Sequence, residues 1–386
     1  MVTSRITMAR LDLLRPFPLA FGTLDHLDRV FVILEEDGRT GVGEAALDFP
    51  FSPYDAWDTY VVLARALGRK ASRDELFRKA RRLAEEPMKK AAACALDMAT
   101  LDLEARKSGR SYEATLGGIV RDRLEPVESL GFAPEQELLR GLHDAWRRGD
   151  LPKVKLGTNV EEDVSRLRTA CNAARASRQA VAFDANGHYP FEQALLLIKA
   201  ADPFQEAIAF LEQPTRRSEG VSALIDIADI ASFPIVADES FMDEASGLAL
   251  AAGNVALNYK LSRLGGPSKT VALEKRFQEV LGFTPPGFVG GTFGSQIHRR
   301  ADQAVFRVLA GAILPGDAAT EADRYFQAAI AAPSGTDSGL GLRMNPDTLR
   351  SLTVDDPESV FRARRSDPQY ARLYEQVTGR NWNWNL

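Results

Sequence analysis

The feature that most constrains this chain is a rhythm of strand ends. Five short apolar runs, "LPKVKLG", "AVAFDANG", "AIAFLEQP", "FPIVADES" and "NVALNYKLS", each run into a charged residue. These residues are Lys155, Asp184, Glu212, Asp238 and Lys260, spaced 29, 28, 26 and 22 residues apart. Between the runs lie amphipathic stretches such as "VEEDVSRLRTACNAARAS" and "YPFEQALLLIKAAD", with apolar positions at helical spacing. Strands apolar on both faces require a parallel sheet covered by helices, and one βα unit fills each interval. With "VESLGF" as an earlier strand, residues 125 to about 330 have room for eight units. Eight such units close a (β/α)8 barrel. A doubly wound open sheet fits less well, because no G-x-G-x-x-G follows a strand and too many strands end in charge.

The segments before and after this repeat read differently. "RITMARLDLL" and "RVFVILEEDGRTGVGEA" alternate apolar and polar positions, and Asp37-Gly38 marks a hairpin. Helical patterns follow over roughly 54–67, 73–86 and 88–107, the last stopping at Gly109. Strands grouped apart from helices predict an α+β capping domain over 1–124, beside a barrel over 125–330. Residues 331–386 lose the repeat and are expected to return to the cap. At 45% hydrophobic and 26% charged, the chain can bury a core without disulfides, so Cys94 and Cys171 are expected as buried thiols. A net charge of −5 argues against a polyanionic partner, and "FRARRSDP" reads as a solvated helical face. No signal-peptide core and no apolar run of about 18 residues is present, so a cytoplasmic enzyme or binding protein is expected, with no membrane contact.

In a barrel, side chains at the carboxyl ends of strands converge on one cavity. Three acids brought together there raise each other's pKa unless a cation neutralises them. Oxygen ligands from Asp184, Glu212 and Asp238 suit Mg²⁺, or Mn²⁺ in its place, and the lack of His and Cys at these ends disfavours zinc. Asn186 lies on the same face as Asp184 and is expected to support it. Glu239 points the opposite way from Asp238 in a regular strand and reads as support or polar packing. Lys153 and Lys155 share one strand face, so each depresses the other's proton affinity, as a nearby metal also does. Lys155 is then poised for proton transfer, and Lys260, four strands further round, faces it from the other side. A metal that binds a substrate carboxylate stabilises the enediolate left when the α-proton is removed. Two opposed lysines then suffice to remove and return that proton.

The motifs "KVK", "FDANG", "FLEQP", "VADES" and "YKLSRLGG", in this order, resemble the enolase superfamily in its muconate-lactonizing-enzyme-like subgroup. "DGRTGVGEA" and "ALDMATLDLEARKSG" resemble its capping domain, and "LPGDAATEADRYF" with "GLGLRMNPDTL" its C-terminal part. The resemblance implies Asp184, Glu212 and Asp238 as Mg²⁺ ligands, Lys155 and Lys260 as paired acid/base groups, and Lys153 as the lysine that tunes Lys155. It implies a small carboxylate substrate and one of several activities: racemisation or epimerisation of an N-acylamino acid-like substrate, muconate-type cycloisomerisation, or o-succinylbenzoate-type syn-dehydration. The "PGD…DRYF" stretch resembles the succinylbenzoate synthase and N-acylamino acid racemase branch most. Two departures stand out. Thr292-Phe293 occupy a place where relatives often carry a glutamate, and the paired acids that hold the substrate amine in dipeptide epimerases are not evident in "ILPGDAATEAD".

Aromatic-rich segments of the cap are the expected source of substrate choice: "FPLAFGTLDH" and "LDFPFSPYD", with Phe17, Phe21, Asp25, Phe49, Phe51 and Tyr54. The glycine pairs Gly265-Gly266 and Gly290-Gly291 suit a phosphate cradle or tight turns. Expected partners are a small-molecule carboxylate and further copies of the chain, and no nucleic acid. Two other classes use part of the same residue set. A glycosidase built on Glu212 and Glu239 leaves the three lysines without a role. A non-catalytic barrel would bind a carboxylate without exchanging its α-proton.

Overall fold

The computed structural model describes residues 1–19, 22–46, 54–68 and 70–378. Strands β1 (Val2–Leu19), β2 (Gly22–Glu36), β3 (Arg39–Ala45) and β4 (Lys70–Ala71) form an antiparallel sheet in the order β3-β2-β1-β4. Asp37 and Gly38, at φ 51° and 71°, make the turn between β2 and β3 in the left-handed region the sequence signalled. Helices α1 (Ala56–Ala66) and α3 (Lys90–Ser108) cover this sheet, and α2 (Arg73–Ala84) packs against α3. The alanine-rich α3 is buried on nearly every face, and β3 lies flush against it through Gly41 and Gly43. A Cβ at these glycines would come within 2.3 Å of the Ala99 carbonyl oxygen and 2.0 Å of that of Ala95.

After the short α4 (Tyr112–Leu116), strands and helices alternate. The strands are β5 (Val127–Leu130), β6 (Leu151–Lys155), β7 (Val181–Asp184), β8 (Ile208–Glu212), β9 (Ile235–Ala237), β10 (Ala256–Tyr259) and β11 (Gly287–Val289). They pair in parallel and in sequence order, as in a barrel. The connecting helices are α5 (Glu135–Arg148), α6 (Val160–Ser177), α7 (Phe191–Ala201), α8 (Gly220–Ile230), α9 (Glu244–Ala252), α10 (Leu261–Leu264), α11 (Pro267–Leu281) and α12 (Gln296–Val308). The eighth position is not a regular strand. Residues 311–316 fill it, exchanging Gly287 N–H to Gly311 O (2.9 Å) and Leu314 N–H to Gly287 O (3.0 Å) on one side, and Gly316 N–H to Glu125 O (3.1 Å) on the other. Pro315 has no N–H to give a ladder, which explains why the last stave is irregular while the ring still closes.

Beyond the barrel come β12 (Ala331–Pro333), β13 (Leu342–Met344), α13 (Pro346–Leu352), α14 (Pro357–Ser366) and α15 (Pro368–Thr378). This segment contacts the cap sheet, with Val354 N–H donating to Met8 O (2.9 Å) and Thr353 bridging to Ala9. The solvated face expected for "FRARRSDP" is not observed. Arg365 is 2% exposed and faces Asp55 (2.5 Å) and Asp58 (3.1 Å), and Arg364 meets Asp28 (2.9 Å). Only Arg362 of the three stays exposed, because the helix turns the other two onto cap acids far away in sequence. Cys94 and Cys171 are free and buried. Among the described residues, no helix is long and apolar enough to cross a membrane.

Candidate active site

Strand register assembles the site. Lys155, Asp184 and Glu212 are partners across β6, β7 and β8, so their side chains leave the sheet in one row. Asp238 follows the last residue of β9, and Lys260 follows the last residue of β10. Asp184, Glu212 and Asp238 are buried, at 2%, 1% and 1% exposure. Lys155 donates to Asp184 (2.5 Å) and to Asn186 Oδ1 (2.8 Å). Lys153 donates to Glu212 and to Asp317, both at 2.7 Å, and lies 3.9 Å from Asp184. On the far side Lys260 donates to Asp238 (2.7 Å), which Arg263 also meets at 2.6 Å. The lysine side chains differ in reach. Lys155 and Lys260 remain 24% and 19% exposed, whereas Lys153 is at 3%.

Crowding sets the electrostatics. Burial, and then the charge of Asp184, pushes Glu212 up to about 8, against the pull of Lys153. Burial and Asp238 push Glu239 up to about 7. Burial also opposes ionisation of Asp238, but Arg263 and Lys260 outweigh it and hold this carboxyl below its usual range. Lys153 is desolvated, yet Asp317, Glu212 and Asp184 hold it firmly as an ammonium. Burial opposes the charge of Lys260 most, but Asp238, Glu239 and Glu212 together outweigh it and raise this lysine as well.

Neutral groups fix the acids in place. Gln213, fully buried and left-handed at φ 40°, accepts from the Asp238 and Ser240 amides at 3.0 and 3.1 Å, locking the turn after β9 to the end of β8. Asn258 donates to Glu212 (2.6 Å), and the Asn186 amide donates to Asp184 (2.9 Å). Asp163 accepts from the Gly157 and Thr158 amides, both at 2.8 Å, and so holds the turn that follows Lys155.

The site corrects several readings made from the sequence. Glu239 does not point away: Asn186 Nδ2 reaches its carboxylate at 3.3 Å, because β9 ends at Ala237 and strand alternation no longer applies. Asp317, Arg263 and Asn258 were missed. Asp317 lay on the same rhythm, 27 residues beyond Gly290, which follows β11. Asn258 lay two residues before Lys260 on the same strand face, and Arg263 one helical turn after it. Of the cap residues, Tyr54 is buried in the interior of the cap, and Asp25 is exposed on β2, bound to His26 (2.6 Å). Phe21, Phe49, Phe51 and the side chain of Phe17 lie outside the described residues.

The donor set fits a hard cation, being three buried carboxylates on consecutive strands with no nitrogen or sulfur ligand among them. Among the described residues, no three acidic, His or Cys side chains are already gathered around one point, since each acid is turned to a lysine or arginine. Glu239 Oε2 is buried without a hydrogen-bond partner.

Comparison with known proteins decides the family. Residues 143–347 match the family described as "Enolase C-terminal domain-like", and residues 1–117 match "Mandelate racemase / muconate lactonizing enzyme, N-terminal domain". The chain belongs to the enolase superfamily. Within it, the chain falls in the muconate-lactonizing-enzyme-like subgroup, and it is an enzyme of the isomerase/lyase kind. This enolase-superfamily chain is 31% identical to the L-Lys-D/L-Arg epimerase of Desulforapulum autotrophicum, over 66% of its own length and 73% of the relative's. It is 30% identical to the N-succinylamino acid racemase of Thermus thermophilus, over 81% and 83%. The fold is shared with the dipeptide epimerase from Cytophaga hutchinsonii, solved with Mg and D-Ala-L-Val: TM-score 0.78, 23% identity, 91% of this chain and 98% of that one.

Proposed function

We propose that this enzyme racemises or epimerises an N-acylamino acid-like carboxylate, with Lys155 and Lys260 exchanging its α-proton and with Mg²⁺ held by Asp184, Glu212 and Asp238. The observation that carries this reading is the arc of the site: three carboxylates on β7 to β9, flanked by one partly exposed lysine on β6 and one just after β10. The names of the relatives support it, since racemases and epimerases act at such a carbon in both directions.

Each residue has a distinct task. Five carboxylates, Asp184, Glu212, Asp238, Glu239 and Asp317, face four cations, Lys153, Lys155, Lys260 and Arg263, leaving one formal negative charge. A dication offsets this charge, and balances the set fully when one exchanging lysine is the neutral amine that takes the proton. Mg²⁺, when bound, supplies the positive charge that acidifies the proton α to a carboxylate and lowers the proton affinity of neighbouring amines. Lys155 removes or returns that proton on one side of the substrate, and Lys260 does so on the other. Lys153, too buried to reach the substrate, remains a fixed cation between Glu212 and Asp317. Gln213 and Asn258 keep the acids from following the lysines as these change charge.

The test is α-proton exchange in D2O, followed by NMR over N-acylamino acids and dipeptides with Mg²⁺. Exchange of both enantiomers is expected, stopping in EDTA and returning with Mg²⁺. Lys155→Ala and Lys260→Ala should each lose racemisation while exchanging opposite enantiomers. Retention of the wild-type rate in Lys155→Ala, or in EDTA, overturns the proposal. A variant pair in which only one lysine matters for exchange points instead to cycloisomerisation or dehydration on the same half-reaction.

A further inference from the structure

The ring of strands leaves one arc for the non-reacting part of a substrate. The acids occupy β7 to β9 and the exchanging lysines flank them, so the remaining mouth is framed by β11, the 311–316 stave and β5. Phe293 lies in this arc, four residues past the end of β11, with φ 52°. A left-handed backbone at an aromatic residue is unfavourable and persists only where its surroundings enforce it.

Here the cap does so. Arg29, on β2 and fully buried, donates from Nη2 and Nε to the Phe293 carbonyl at 2.9 and 3.3 Å. Arg29 lies 3.7 Å from Glu44, and Glu44 accepts from Ser295 N (3.0 Å), Ser295 Oγ (2.5 Å) and His298 N (3.2 Å). The Phe293 carbonyl and the backbone that follows it are therefore tied to the cap sheet. Its ring meets Tyr325 edge to face at 5.4 Å. Tyr325 in turn is fixed by its carbonyl, which accepts from Leu14 N of β1 at 2.8 Å. The Arg299 guanidinium lies 5.8 Å over the Tyr325 ring and donates to the Asp317 carbonyl at 2.9 Å, while the Asp317 carboxylate holds Lys153. The acid of the eighth position is thus engaged by Lys153, and Arg299 joins its backbone to the Tyr325 ring.

We infer that Phe293 and Tyr325 form a specificity wall that receives an apolar or aromatic group of the substrate, and that Arg29 is the positioning residue that holds Phe293 in place. This rests on the α-proton reading above for the identity of the reaction, but the wall also makes a prediction about binding alone. The substrates selected are N-acylamino acids or dipeptides with a bulky neutral side chain, rather than an acidic or cationic one.

Phe293→Gly isolates the ring, since glycine adopts φ near 50° without strain and keeps the backbone path. With the Mg²⁺-loaded enzyme, N-acetyl derivatives of phenylalanine, leucine, alanine, glutamate and lysine are compared by α-exchange kinetics and by calorimetric binding. The wild type should favour phenylalanine and leucine. Phe293→Gly should raise KM for these two by about 10-fold or more, leave kcat nearly unchanged and leave alanine within about 3-fold. Arg29→Met should shift the preference the same way, and should add nothing to it in the Phe293→Gly background. An unchanged preference ratio in Phe293→Gly, or a wild type that favours lysine or glutamate, removes the wall. A wild type that binds the panel with the expected preference but exchanges none of it removes the proton-transfer reading and leaves the wall standing.

Discussion

Arg365 on α14 and Lys153 on β6 are both 2% exposed, and each faces two or more carboxylates. Their surroundings differ in kind. At the α14 seam, Asp55 and Asp58 bond each other's backbone amides at 3.0 Å, and Tyr370 and Tyr374 add phenol donors at 3.3 Å. Neutral donors with fixed geometry thus share the load with one guanidinium. At the barrel mouth the counter-charges are mainly the long, flexible side chains of lysines. A network closed by amides and phenols resists rearrangement, while one closed by lysines can exchange one cation for another. The first is suited to holding two segments together, and the second to chemistry.

The contrast breaks most visibly if the lysines are removed. Lys155→Ala or Lys260→Ala should lower racemisation by about 10³-fold or more, with little change in the urea midpoint. A large loss of stability instead would mean that the mouth is a structural cluster like the seam. The converse holds for Arg365→Met. Leaving the buried Asp55 and the half-buried Asp58 without their guanidinium should lower unfolding free energy by roughly 3–5 kcal/mol, with kcat of the folded enzyme retained. A loss below about 1 kcal/mol would show the seam to be as exchangeable as the mouth.

The two regions were also unequally legible in the sequence. The mouth could be read because strand register converts spacing into proximity: five charges at βα intervals must meet if the barrel forms. Asp317 obeys the same rhythm but sits on an irregular stave, where Pro315 and Gly316 give no strand pattern to count. Only the direction of Glu239 was misread, because alternation was extended one residue past the end of β9. The seam could not be read at all. Arg365 and Asp55 are 310 residues apart, and an arginine-rich helix looks the same whether it faces water or distant acids. Phe293 is a third case, since its left-handed backbone is imposed by Arg29 of another segment and no local residue pattern announces it.

The pH dependence of stability sharpens the comparison further. Burial, and then the neighbouring Asp58, pushes Asp55 up to about 6 against the pull of Arg365, whereas an unfolded carboxyl titrates near 3.8. The folded form holds this proton more tightly. Its contribution to stability is therefore complete below about pH 4 and is lost as pH rises through about 6, by roughly 2–3 kcal/mol at most. In Arg365→Met the decline should continue to higher pH, because the group that favours the ionised form is gone. A flat stability curve between pH 4 and pH 7 in both proteins would exclude Asp55 as the titrating group.

Tyr370→Phe gives the smallest effect and the finest test. It removes one phenol donor, 3.3 Å from Asp55, without disturbing the packing of the ring. A hydroxyl stabilises a carboxylate more than a neutral carboxyl, so the cost should depend on the state of Asp55. About 1 kcal/mol is expected at pH 7, where Asp55 is ionised, and less at pH 5, where it is largely protonated. An equal cost at both pH values would mean that Tyr370 contributes packing alone. The neutral donors would then not be what distinguishes the seam, and its rigidity would have to come from the Arg365 pair with Asp55 and Asp58.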